Sequence, residues 1–380
     1  MDALYGGYSL MNILVIGNGF DIAHGLPTRY SDFLDFIQIL NGCLKDKLCN
    51  QEDFYERVIE YKNQDIPEMI ELNDCVYGNV WINYFLEIYQ DLIKQEKGNW
   101  IDFEREMSLI VQILDEMNCK FKEFKREYVT YEDIDNFFSS KQIEKMNMFL
   151  KLVDSNYSLY SIRLDNLVLI KKIMIENLKK LDRVLEIYLS SFIKNSYVLK
   201  KKSLINNLHI DHLLSFNYTS TFLDLYGNVE SDFIHGKADI NNNKNNCPLI
   251  LGIDEYLNEH DKNENIEFIY FKKYFQRILK GSGCTYKKWV NSVIKFSPDI
   301  HGYRNNLYFY GHSLDITDKD IIRDLIDTNF FKITIFYLNS SDLERKISNL
   351  VIDLGQDKLI EMASEPNPQI EFKLIEKESE

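Results

Sequence analysis

Ile13-Leu14-Val15-Ile16 is a continuous apolar, mostly β-branched run that stops at Gly17-Asn18-Gly19 and continues as the helical pattern of FDIAHGLPTRYSDFLDF. No other feature constrains the fold as strongly. A run with no polar alternation predicts a strand buried on both faces, which is the habit of a central strand in a parallel sheet. A glycine turn between such a strand and a helix lets the chain reverse tightly and lets a ligand approach the backbone. The third glycine, Gly25, falls six residues after Gly19. The dinucleotide fingerprint G-x-G-x-x-G needs it three after. The turn also carries Asp21, a charge that repels phosphate.

The rest of the chain fits one large domain or two ordinary ones. It has 380 residues, 45% of them hydrophobic, enough for a substantial core. Residues 37–204 read as a helical insertion. VWINYFLEIYQDLIKQEK, WIDFEREMSLIVQILDEMN and LDNLVLIKKIMIENLKKLDRVLEIYLSSF repeat apolar residues every three or four positions. Strand signals return after about residue 209, in HLLSFNY, SDFIHGKA, PLILGID, NLYFYGHSL and FKITIFYL. Helical patterns separate several of them, at 264–280 and 318–327 among others, as in a mainly parallel α/β sheet. The predicted organisation is a discontinuous nucleotide-binding domain, 11–36 and 205–370, interrupted by the 37–204 insertion. The asparagine-rich 241–248 reads as a surface loop. The charged tail after Gln356 is expected to fray at its end.

Several function classes recede. A net charge of −15 disfavours a general nucleic-acid binder, whose affinity comes mostly from neutralising phosphates. The six cysteines, Cys43, Cys49, Cys75, Cys119, Cys247 and Cys284, include no C-x-x-C pair, so no zinc is expected. No stretch suits a membrane span, and the leader MDALYGGYSL lacks the pattern of a secretory signal. Met11 reads as the natural start, and the expected location is the cytoplasm. KGSGC at 280–284 is not a phosphate-binding Walker loop.

The spacing of the first motif resembles another known pattern. GNGFDIAHGLP is similar to the first sirtuin motif, G-A-G-I-S-x-x-x-G-I-P, with Gly17, Gly19, Gly25 and Pro27 at matching offsets. SFNYTSTF resembles the sirtuin T-Q-N segment, with Asn217 as its asparagine. FIHGKA resembles the His-Gly segment, with His235 as its histidine, 18 residues on. YFYGHSLDITDKD resembles the late strand end that meets the adenosine half of the dinucleotide. Taken together, NILVIGNGFDIAHGLPTRYSDFLDF, LSFNYTSTF, IHGKA, LILGID and YGHSLDITDKDII resemble the AbiH family of phage abortive-infection proteins. WIDFE at 100–104 is similar as well. Asp21 stands where sirtuins carry serine, Thr28-Arg29-Tyr30 replaces their Asp-Phe-Arg, and the zinc ribbon is missing.

These resemblances imply a Rossmann-like, sirtuin-like sheet with helices on both faces, phage defence, and NAD as substrate or ligand. Asn217 and His235 are the implied catalytic pair for hydrolysis of the nicotinamide–ribose bond. The amide would hold ribose and water, and a neutral imidazole would take the proton. Gly17, Asn18, Gly19, Asp21, His24, Gly25, Pro27, Arg29, Gly311, Ser313 and Asp315 are the candidate dinucleotide contacts. Asp21 is open to three roles: helix cap, ribose contact or metal holder. The acid run Asp315, Asp318, Asp320 also suits the start of a helix. Trp100, Asp102 and Glu104 read as packing or pairing residues. A nucleotide-binding sensor without chemistry and a metal-dependent nuclease built on Asp21, Asp254 and Asp315 are the alternatives. A phage-derived trigger and a homo-oligomer are compatible partners.

Overall fold

The computed structural model describes residues 11–42, 52–95, 101–125, 128–296, 305–327, 330–364 and 366–376. The leader, Cys43, Cys49, Trp100 and the last four residues lie outside them. The chain divides into two compact units. The sheet unit comprises residues up to Pro27, Tyr197–Lys237 and Gly281 onward. The helical unit comprises Thr28–Ser196 and Ala238–Lys280.

The sheet unit is built on six parallel strands: β1 (Asn12–Ile16), β2 (His212–Ser215), β3 (Glu230–Phe233), β4 (Asn305–Tyr310), β5 (Phe331–Tyr337) and β6 (Ile370–Leu374). Their order is β3-β2-β1-β4-β5-β6. The first strand is central, as its unbroken apolar run predicts. Ile13 and Val15 point into one core with Leu214, Leu307, Phe309, Ile333 and Ile335. Leu14 and Ile16 point into another with Phe20, Leu213, Phe222 and Tyr310. Two buried faces explain why the run has no polar position.

Five helices and one short turn matter for the site. On one face lie α1 (Asn18–Ala23) and α2 (Thr221–Tyr226), through Phe20 and Phe222. On the other lie α3 (Tyr286–Phe296), α4 (Lys319–Ile326) and α5 (Ser340–Leu354), through Tyr286, Trp289, Ile321, Leu325 and Leu350. A single 3-10 turn, Ile316–Asp318, precedes α4. The tail after Gln356 is ordered further than its charge suggests, with a helix at Gln356–Ala363 and then β6. Ile370 is buried and pairs with Ile333, and Gln369 accepts the Ile333 amide at 2.8 Å through its carbonyl.

The helical unit holds the expected amphipathic helices, including Val80–Lys94, Phe103–Phe124 and Leu164–Ile187. Their apolar faces meet in an aromatic core in which Phe85 stacks on Phe103 at 4.0 Å. Asp102 caps the second of these helices by accepting the Arg105 amide, and Glu104 pairs with Lys273 at 2.7 Å. Phe33 and Phe36 belong to this unit and pack on Tyr188. So does the segment 238–280. The Glu186 carboxylate accepts the Asp239 amide and the Asn242 side chain, and Arg183 reaches the Ile240 carbonyl.

One expected strand does not form. PLILGID makes only an isolated bridge between Ile253 and Lys272. Leu249, Ile250 and Leu251 are buried as a strand would be. However, the Leu251 carbonyl is taken by Gln276 at 3.0 Å and the Leu249 carbonyl by the Lys280 ammonium. Side chains satisfy the backbone where a neighbouring strand would have done so. The helix expected over 264–280 is shorter, Lys273–Lys280, after two 3-10 turns.

Candidate functional site

In a parallel sheet, loops leaving successive strands emerge at the same edge. Ile16 pairs with Ser215 and with Tyr310, and Ser215 with Phe233. The loops at 17–19, 216–219, 234–236 and 311–313 therefore share one end of the sheet. The strand order reverses direction between β1 and β4, the position where open α/β sheets bind ligands.

The glycines of this edge have a packing reason. The Gly19 amide donates to the Gly311 carbonyl at 2.8 Å, and the Gly17 amide to the Tyr310 carbonyl at 3.3 Å. A methyl group on Gly17 would lie 2.8 Å from the His312 Cα, and one on Gly19 2.8 Å from the Gly311 Cα. The β1 and β4 loops touch backbone to backbone, and only glycine fits at that seam. Gly25 is different: it has φ +84 and open space around it, and it serves to turn the chain after α1. Asn18 is exposed at the start of α1, and Pro27 is buried where the sheet unit's first segment ends.

Asp21 does not cap α1, whose N-cap is Gly17 with no side-chain bond. Its carboxylate is 1% exposed and accepts the Thr219 hydroxyl at 2.6 Å, while Thr221 donates to Thr219 at 3.0 Å. Burial pushes its pKa up to about 6, against the pull of Thr219, Thr221 and Asn217. The other oxygen, Oδ1, has no hydrogen-bond partner. Asn217 is 4% exposed. It lies near enough to favour the charged form of Asp21, yet neither its Oδ1 nor its Nδ2 completes a bond of ordinary geometry. Buried polar atoms are almost always paired. Asp21 Oδ1 and the Asn217 amide are thus two adjacent buried polar groups that the protein itself does not pair with ordinary hydrogen bonds.

The shift makes a prediction. Asp21 binds its proton more tightly folded than unfolded. Its contribution therefore favours the fold fully below pH about 4 and is lost as pH rises through about 6. The Asp21→Asn variant keeps an acceptor for Thr219 without the charge. In urea unfolding, its advantage over the wild type should grow from near zero at pH 4 to about 3 kcal/mol at pH 7.5. A difference that stays flat over that range would contradict the buried, shifted carboxylate.

A second group lies on the same edge. The Asp318 carboxylate stands 3.3 Å from His235 Nε2 and 3.5 Å from His312 Nε2. Both imidazoles are buried, and both pack against the ring of Phe216, at 5.6 and 4.3 Å. In the sequence His235 reads as a strand-end histidine and Asp318 as a helix-start acid, and His312 is not among the candidates. The available signal was a histidine directly after a strand-ending glycine, with an aspartate a helical turn or two beyond.

The remaining candidates sort by their contacts. His24 lies at the end of α1, with Nδ1 donating to the Phe20 carbonyl at 2.7 Å and Nε2 at 2.8 Å from the Tyr226 hydroxyl. Both ring nitrogens serve packing. Asp315 is exposed and caps the 3-10 turn by accepting the Thr317 amide. The Ser313 carbonyl accepts the Asn349 amide at 3.1 Å. Arg29 and Asp254 belong to the helical unit, where the Arg29 amide donates to Asp32 at 2.9 Å. Among the described residues no trio of His, Cys, Asp or Glu is grouped to hold a metal. A cleft of about 880 Å³ in the helical unit, lined by Asp115, Cys119, Lys120 and Tyr256 among others, is a separate feature. Asp115 there is already bound by Tyr256 and Asn265.

A family model described as bacteriophage abortive infection AbiH matches residues 13–338. The chain belongs to the AbiH family. Its role is therefore in abortive infection by phage. The match spans β1 to the residue after β5 and so includes Asp21, Asn217, His235 and Asp318. Comparisons with curated proteins and with solved structures find no match. The sirtuin likeness of this AbiH chain rests on its motifs alone. Among the described residues, no AbiH helix is long and apolar enough to cross a membrane.

Proposed function

We propose that this AbiH protein defends against phage by hydrolysing NAD at the nicotinamide–ribose bond. The observation that carries the reading is the open, buried Asn217 amide, on the same strand edge as the His235–Asp318 pair. In the reaction NAD and water give ADP-ribose, nicotinamide and a proton. Asn217 holds a ribose hydroxyl, and His235 accepts the proton of the attacking water. The open oxygen of Asp21, ionised at neutral pH, faces the oxocarbenium-like charge that develops at the ribose. Gly19's amide is engaged by Gly311, so recognition rests on side chains rather than on a glycine cradle. NAD is the substrate, and no other cofactor enters.

The second reading is a nucleotide-binding sensor without chemistry, in which the same edge binds the nucleotide and cleaves nothing. Incubating purified protein with NAD and following nicotinamide by chromatography, alongside calorimetric binding, separates the two. The expected result is release of nicotinamide. Binding without release, with and without phage lysate, would favour the sensor. Neither binding nor release would remove NAD from the account.

A further inference from the structure

We propose that Asp318 and His312 are positioning residues that lock His235 as its Nε2–H tautomer, leaving Nδ1 as its basic nitrogen. The inference rests on the proposed role of His235 as base, but its central test needs no substrate.

The chain of constraints begins at Leu314. Its amide donates to His312 Nδ1 at 2.9 Å. A backbone N–H can only donate, so Nδ1 must offer its lone pair. The proton of neutral His312 therefore sits on Nε2. Leu314 holds φ +56, a left-handed conformation that is strained for leucine, and it is buried. Helix α5 keeps the loop in that state. The Lys346 ammonium donates to the His312 carbonyl at 2.6 Å, and Asn349 donates to the Ser313 carbonyl. Lys346 is itself buried and pairs with Asp342 at 3.3 Å. The His312 ring thus cannot exchange its donor and acceptor ends without breaking the Leu314 bond.

His312 Nε2–H faces Asp318 Oδ2, and a neutral imidazole has one proton to give. Asp318 is fixed at the end of its 3-10 turn, its amide donating to the Asp315 carbonyl at 3.1 Å. Its second oxygen, Oδ1, faces His235 Nε2. A carboxylate only accepts, so His235 must present Nε2–H. At 3.3 and 3.5 Å both contacts are long for N–H···O bonds, and their direction is set by what each atom can donate or accept. Second-layer carboxylates of this kind fix both the tautomer and the orientation of a working histidine.

The test compares the wild type with Asp318→Asn by long-range ¹H–¹⁵N NMR of the imidazoles in the full chain near pH 8. Assignments come from His235→Gln and His312→Gln. In the wild type both rings should show protonated Nε2 and unprotonated Nδ1. The substituted amide offers one acceptor and one donor. His312 is held by Leu314 and takes the acceptor, so His235 must flip to Nδ1–H. Nicotinamide release should fall about 100-fold in kcat with KM unchanged. His235 already Nδ1–H in the wild type would overturn the proposal, and that reading stands even if the variant does not fold. A folded variant with an unchanged His235 tautomer would overturn it too. A flip without any wild-type NAD cleavage would keep the relay and reject the NAD reading.

Discussion

Asn217→Ala is expected to abolish nicotinamide release and phage protection while costing little stability, since at neutral pH it removes only the amide's support of the Asp21 charge. The reason is the absence of ordinary hydrogen bonds from its side chain. A buried amide held for structure would lose its partners on truncation, at about 1–3 kcal/mol for the group left behind. Here the folded state has little to lose, so catalytic and structural readings give opposite results in the same variant. His235→Ala should lose activity to a similar degree, about 10²–10⁴-fold for one positioned general base. It should also lose some stability, since the ring packs against Phe216 and leaves Asp318 with one imidazole fewer. Both variants are read by nicotinamide release, plaque counts and urea unfolding. Full activity in Asn217→Ala, or a stability loss above about 2 kcal/mol, would make Asn217 a structural residue and end the proposed pairing.

The fold was largely readable because the strongest signals were local. The Ile13–Ile16 run announced a strand with two buried faces, and β2, β3, β4 and β5 followed from short apolar runs bounded by turns. Local signal failed where distant side chains decided the outcome. Leu249–Leu251 have the composition of a strand, but Gln276 and Lys280 took their carbonyls. Strand β6 hid in a charged tail because it is an edge strand whose outer positions, Lys373 and Leu374, are exposed. At the site, Asn217 and His235 were legible as residues at strand ends. The link from His235 through Asp318 to His312 was not, because it depends on how two loops far apart in sequence meet over Phe216. Asp21 shows a third case. Its helix-start position suggested a cap, but its partner is Thr219.

Gly17, Gly19 and Gly311 form the seam on which the β1 and β4 loops are spaced. Gly311 is the tightest point. It has φ +67, and a methyl group there would lie 2.5 Å from the Gly19 carbonyl carbon and against the Phe20 amide. Gly311→Ala therefore combines left-handed strain with overpacking against backbone, which cannot swing aside as a side chain can. The expected loss is about 4 kcal/mol for the sheet unit. Hydrogen exchange of the β1 and β4 amides in increasing urea reads that unit separately from the helical one. Gly25→Ala is the control. Its φ is also positive, but no atom lies within 4 Å of the added carbon, so it should lose only about 1–2 kcal/mol. Activity should separate the two more sharply. The seam sets the spacing between α1, which carries Asp21, and the loop carrying His312, so Gly311→Ala should lose nicotinamide release even under conditions where it stays folded. Gly25→Ala, which leaves the seam intact, should keep most of it. Equal losses of stability in the two variants would mean that the glycines at this edge serve chain turning alone, and that the β1–β4 contact does not hold the site together.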